Sequence, residues 1–185
     1  MLWYLIIATI PAAIAGVLFE DVIENAVRKN YVVIALALAI MGVIIYCADK
    51  YSKSNNSLKK MSMKDALIIG CSQVLALIPG FSRSGTTIAA GRVLGINRED
   101  AAKFSFYLSA PVVCGALVLQ LLKKATWTVI AANLTTFILG VLISFIVGLL
   151  CIKYLLKYLH NHNFKIFMIY RIILAIIVLI MIGVK

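Results

Sequence analysis

With 185 residues, 63% of them hydrophobic and 14% charged, and a mean hydropathy of +1.04, the chain is too apolar for a soluble domain of ordinary composition. Its net charge of +11 does not point to nucleic acid, because the eighteen Lys and Arg residues are scattered between apolar runs and form no single basic patch with exposed aromatics. That scatter fits loops facing anionic lipid headgroups, so the implied class is an all-α polytopic membrane protein forming a single domain over residues 1–185.

The chain opens on Met1-Leu-Trp-Tyr-Leu-Ile-Ile-Ala-Thr-Ile-Pro11, which lacks the basic region that precedes the apolar stretch of a signal peptide and reads as a chain entered in mid-helix. Apolar runs follow at about 2–19, 31–48, 104–122, 133–156 and 166–184, each long enough to span or nearly span a bilayer. Five membrane spans are therefore expected. Pro11 and Pro111 fall inside two of them, which neighbouring helices in a bundle can tolerate. Between the first two runs, Glu20, Asp21 and Glu24 read as a solvated loop. Cys47, Cys71, Cys114 and Cys151 are widely spaced, form no metal-ligand pattern, and are expected to be small core residues.

The segment 65–96 breaks the pattern, because Gly70, Gln73, Pro79, Gly80, Gly85 and a run of Ser and Thr interrupt what would otherwise be one apolar stretch. Two half-helices, Asp65 to Ile78 and Ser84 to Leu94, joined at Pro79-Gly80, fit it better. Charge counting favours a segment that dips in and returns to the same side. In that case twelve Lys and Arg residues, among them Arg92, Arg98, Lys103 and Arg171, collect on one face and five on the other, against eight and nine if the segment crosses once. The loop from Asp49 to Lys64 is then cytoplasmic.

Broken helices at membrane depth are tolerated where they are buried in protein or line a watery cavity, so a site is expected at Pro79-Gly-Phe-Ser-Arg-Ser-Gly-Thr-Thr87. Arg83 is its leading residue: an intramembrane charge costs several kcal/mol unless paired or hydrated, and a guanidinium fork matches two phosphate oxygens. Ser82, Ser84, Thr86 and Thr87 add hydroxyls, while Gly80 and Gly85 let the backbone approach an anion closely. If residues 84–87 open the second half-helix, its free N–H groups and positive dipole end face the same anion. The stretch is not a nucleotide-binding P-loop, since Thr86 stands where the lysine must be and no strand precedes it. Nor does it fit a histidine-nucleophile lipid phosphatase, because Ile88, Ala89 and Ala90 follow.

Gln73-Val-Leu-Ala-Leu-Ile-Pro-Gly-Phe-Ser-Arg-Ser-Gly-Thr-Thr87, followed by Gly95-Ile-Asn-Arg-Glu-Asp-Ala-Ala-Lys-Phe-Ser-Phe106 and Pro111, resembles the undecaprenyl-diphosphatase family of bacitracin-resistance proteins. The resemblance extends to Ile10-Pro-Ala-Ala-Ile-Ala-Gly16 and covers most of the chain. It implies removal of the terminal phosphate from undecaprenyl diphosphate, which regenerates the carrier for peptidoglycan precursors in a bacterial inner membrane. It also implies catalytic roles for Arg83, Ser82 and Ser84 and phosphate contacts at Gly80, Gly85, Thr86, Thr87 and Gln73. The family's upstream segment, with its acidic motif and Ser-Thr-Gly-His turn, has no counterpart here, so the chain is expected to hold about one half of an inverted repeat.

The implied partners are a polyprenyl diphosphate lipid and the surrounding membrane lipids, without nucleic acid, and a homo-oligomer is one way to rebuild a two-repeat site. A divalent cation such as Mg or Ca fits phosphoryl transfer in general, although no ligand set is visible. His160 and His162 read as loop residues with no carboxylate nearby, and Arg92, Arg98 and Lys103 either attract a headgroup or anchor topology. Ser105 and Ser109 share a helix face that either lines a cavity or allows close packing, and Tyr107, Trp127 and Tyr170 read as interfacial anchors. The readings that compete with hydrolysis are a catalytically incomplete chain that binds lipid diphosphate, and a polyprenyl-lipid transporter or flippase.

Overall fold

The computed structural model describes residues 1–19, 30–52 and 56–183. The described residues fold as eight α-helices: α1 (Leu2–Leu18), α2 (Tyr31–Tyr51), α3 (Met63–Gln73), α4 (Arg83–Val93), α5 (Arg98–Leu121), α6 (Lys124–Ala132), α7 (Leu134–Asn161) and α8 (Lys165–Gly183). Four of them, α2, α5, α7 and α8, are long and apolar enough to cross a membrane. α1 has 17 residues, about 25 Å at 1.5 Å per residue, slightly short of a hydrocarbon core of about 30 Å. Pro11 and Pro111 lie inside α1 and α5. After α5 the chain forms the short helix α6 before α7 begins.

Local chemistry sets the helix starts. The Asn30 side chain accepts from the Val33 amide, Ser62 and Asp65 form a reciprocal capping box at α3, and Asn97 caps α5 by accepting from the Asp100 amide at 2.8 Å. The first half-helix ends earlier than the composition suggests. α3 stops at Gln73 and tightens into a 3-10 turn over Val74–Leu77 before Ile78 becomes extended, the conformation that Pro79 imposes on the residue before it.

The half-helices enter and leave the bundle at one end. Asn56 bridges Ile96, with its amide donating to the Gly95 carbonyl at 2.9 Å and its own carbonyl accepting from the Asn97 amide at 2.9 Å. The Leu58 amide donates to Asp100 at 2.9 Å, so the strand of chain before α3 is tied to the start of α5. The break between the half-helices lies far from that end. A Cβ on Gly80 would come within 2.5 Å of the Ile34 carbonyl and 2.9 Å of Ala37, near the opposite end of α2. Gly80 has φ of +99°, so glycine is needed here both for the backbone turn and for the close approach. Gly85 sits against Met41, at the midpoint of α2, which puts the start of α4 at mid-depth of a spanning helix.

Small residues let the short helices pack closely. The α1 backbone at Ala8 lies directly over Gly70, and Gly91 meets Ala101 of α5. Met41, Ile69, Phe104, Leu108 and Leu159 are fully buried at the centre of the core. α7 behaves oppositely, with Leu159 its one buried residue, as suits a helix solvated by lipid. The cysteines are not core residues as expected: Cys71, Cys114 and Cys151 are exposed on helix surfaces and Cys47 is half-buried.

Candidate functional site

Ser82 is the N-cap of α4. Its Oγ accepts from the Gly85 amide at 3.1 Å and lies 3.2 Å from Ser84 Oγ, so the two hydroxyls adjoin at the helix start. The Thr86 amide donates to the Ser82 carbonyl. The amides of Arg83 and Ser84 have no acceptor among the described residues, which leaves two free donors at the positive end of α4.

Arg83 is the first residue of α4 and is half-buried. Its guanidinium has neither a carboxylate nor a hydrogen-bond partner among the described residues. The described carboxylates are engaged elsewhere: Asp49 with Arg92 and Arg98, Asp65 in the α3 cap, Glu99 with Lys103 and His160, and Asp100 with Leu58 and Asn97. A cation held at mid-depth of α2 beside free amides and hydroxyls, with no counter-ion among the described residues, is equipped to receive an anion.

Thr86 and Thr87 are placed differently. Both are buried, at 3% and 2% exposure, and their hydroxyls donate back into α4, to the Arg83 carbonyl at 2.9 and 3.0 Å. Thr87 Oγ1 also lies 2.8 Å from Ser105 Oγ, which makes Ser105 part of the α4–α5 contact. These threonines brace the helix start rather than facing an opening. Gln73, 3% exposed at the inner end of α3, carries a buried Nε2 with no hydrogen-bond partner among the described residues.

Four arginines and histidines read locally in the sequence acquire long-range partners. Arg92 is 2% exposed, its Nε donates to Asp49 at 2.9 Å and its Nη1 to the Ile96 carbonyl, so it cannot attract a headgroup. Arg98 donates to the same Asp49 oxygen at 2.7 Å. Arg171, counted as a topology charge, instead reaches the carbonyls of Leu38 and Gly80. Removing Arg92 and Arg171 from the twelve leaves ten against five, so the charge asymmetry survives. His160 Nδ1 lies 3.0 Å from Glu99, a carboxylate 61 positions away that local sequence does not reveal. The cluster Glu20, Asp21 and Glu24 lies outside the described residues.

A cleft of about 90 Å³ opens between α2, α4, α7 and α8, where Ser82, Ser84, Gly85 and Arg171 form one wall and residues such as Ile88 and Phe167 form the apolar remainder. A larger hollow of about 620 Å³ lies elsewhere, between the end of α5, α6 and the start of α7. It brings Lys123 and Asn133 to an open surface and lacks the convergent donors of the α4 start, so size alone does not make it the site. No group of three His, Cys, Asp or Glu among the described residues could hold a metal ion, and the carboxylates that might do so are engaged as above. Mg or Ca therefore finds no fitting ligand set in these residues.

Against known families, residues 1–177 match the family model described as bacitracin resistance protein BacA. The undecaprenyl-diphosphatase of Caldicellulosiruptor bescii is 44% identical over 179 residues, which cover 97% of this chain and 67% of the relative. That of Elusimicrobium minutum is 48% identical over 180 residues, and that of Pelotomaculum thermopropionicum 45% identical over 181, again covering 97% of this chain and 67% of each relative. The chain thus spans about two thirds of the length of these relatives.

Proposed function

The chain belongs to the bacitracin resistance protein BacA family, and from that premise we propose that it dephosphorylates undecaprenyl diphosphate. Water attacks the terminal phosphorus, the bridging P–O bond breaks, and undecaprenyl phosphate and inorganic phosphate leave. The product re-enters the carrier pool for peptidoglycan synthesis, and faster recycling confers bacitracin resistance. The relatives are named for this hydrolysis, and lipid binding without cleavage or lipid transport finds no such support.

The observation that carries the site assignment is the half-buried Arg83 at the α4 start, without a counter-ion among the described residues. In this reading the guanidinium binds the terminal phosphoryl group bidentately and stabilises the charge that spreads over its oxygens as the bridging bond breaks. The free amides of Arg83 and Ser84 add the dipole end of α4, and the Ser82 and Ser84 hydroxyls orient phosphate oxygens or the attacking water. Gly80 and Gly85 keep the backbone close to the anion, while Thr86 and Thr87 hold the helix start rigid. The chain works as a multi-pass protein of the bacterial inner membrane, with the Asp49 end of the bundle cytoplasmic.

Expression in a bacitracin-sensitive bacterium should raise tolerance and lower the cellular ratio of undecaprenyl diphosphate to monophosphate. An unchanged ratio in cells that insert the protein stably would refute the assignment.

Gln73 offers a separate check. Losing an orphaned buried donor is neutral or stabilising by about 1–2 kcal/mol, so Gln73→Leu should hold or raise the melting temperature in detergent. If its Nε2 receives a substrate phosphate oxygen, KM for the lipid diphosphate should rise several-fold in the same variant. A fall in melting temperature with unchanged KM would assign Gln73 to helix packing instead.

A further inference from the structure

Arg171 is the one charged residue of α8 beyond Lys165, and it lines the cleft beside Ser82 and Ser84. A charge inside a spanning helix costs several kcal/mol, so a position needed only for packing would be filled by Leu or Met. No carboxylate among the described residues pairs with it, since each of them has other partners. Its guanidinium is spent on two carbonyls: Nε donates to Leu38 of α2 at 3.1 Å, and Nη2 donates to Gly80 of the turn at 2.5 Å. One planar fork thus joins α8, α2 and the break between the half-helices.

Both carbonyl partners are made reachable by glycine. A Cβ on Gly42 would lie 3.2 Å from Arg171 Cβ, so Gly42 lets α8 come close enough for the side chain to reach past α2. The Gly80 carbonyl belongs to a turn outside any helix, so it has no helical amide to satisfy it. Three positions later α4 begins with Arg83. Rotation of the Gly80–Phe81 peptide would swing the Ser82 cap, and with it the free amides and the guanidinium of the site.

We propose that Arg171 is a positioning residue: by holding the Gly80 carbonyl against α2 it fixes the direction in which Arg83 and the first amides of α4 point. For its kinetic consequence the proposal rests on the diphosphatase reading above. A misplacement on the order of 1 Å at a reacting centre lowers rate about a hundredfold, and it does so in kcat when ground-state binding is unaffected.

The test compares the native protein with Arg171→Ala and Arg171→Lys in detergent, reading phosphate release from undecaprenyl diphosphate and backbone amide exchange. Both variants should lose kcat by about tenfold to a hundredfold while KM changes by less than about twofold. Amide exchange should quicken over residues 79–84 and stay native in α5 and α7. Guanidinium ion added to Arg171→Ala should restore part of the rate, and ammonium should not. Native kcat in Arg171→Ala would overturn the proposal, as would a loss that guanidinium does not reverse or faster exchange throughout the protein. If the native protein itself released no phosphate, the diphosphatase reading would fall, and exchange alone would judge the clamp: a local rise at 79–84 upholds it, native exchange there refutes it.

Discussion

Replacing Arg83 with Ala is expected to lower kcat for phosphate release from undecaprenyl diphosphate by about a hundredfold to a thousandfold, the cost of removing one preorganised cationic donor from a transferring phosphoryl group. Stability should move the other way or not at all. The guanidinium is half-buried without a partner among the described residues, so its removal leaves no group orphaned. Arg83→Lys keeps the charge but loses the fork, and its rate should fall between native and Ala. Steady-state kinetics and thermal melting on the same preparations check both halves. A variant that loses rate only because it melts early would assign Arg83 to the fold.

The second large effect is on stability. Asp49→Ala should lower the folding free energy by about 3–5 kcal/mol, because it strands Arg92, which is 2% exposed, without its carboxylate. Arg98→Ala should cost much less, since that side chain is 36% exposed and Asp49 keeps Arg92. The asymmetry is measurable as a large drop in melting temperature for Asp49→Ala and a small one for Arg98→Ala. Equal small drops would mean that the buried pair does not hold the exit of the half-helices to α2.

The parts legible in sequence were those written in consecutive residues. Pro79-Gly80 marked the break and the apolar runs marked α2, α5, α7 and α8, because each depends on chemistry within one or two helical turns, whereas the cap at Ser82, one residue before the expected helix start, was not read. Arg83 stood out because a cation in that polar turn is costly whatever surrounds it. What escaped sequence reading were pairings closed only by the fold. Arg92 and Asp49 are 43 positions apart, His160 and Glu99 are 61 apart, and Arg171 and Gly80 are 91 apart, so no local window contains both members. Thr86 and Thr87, expected to contact phosphate, have a local competitor that their residue types do not reveal. Their types suit an anion, but once the helix forms, the i−3 and i−4 carbonyls compete successfully for their hydroxyls. The unpartnered Nε2 of Gln73 becomes visible only when its surroundings are built.

The half-helix arrangement also accounts for open donors at this level of the bundle. The start of α4 presents free amides beside the midpoint of α2, where an intact spanning helix would have satisfied them internally. The cost of those open groups and of two cations without carboxylates among the described residues, Arg83 and Arg171, is offset by close packing at Gly70, Gly80 and Gly91 and by the Asp49 network at the rim.

The most direct measurement is inorganic phosphate release by the purified protein in detergent, with undecaprenyl diphosphate and undecaprenyl phosphate as parallel substrates and Arg83→Ala alongside. One phosphate released per diphosphate, accumulation of the monophosphate, no release from the monophosphate and near-complete loss in the variant are the predicted results. A folded native protein that releases no phosphate, or releases it equally well without Arg83, would contradict the assignment of a diphosphatase site to the α4 helix start.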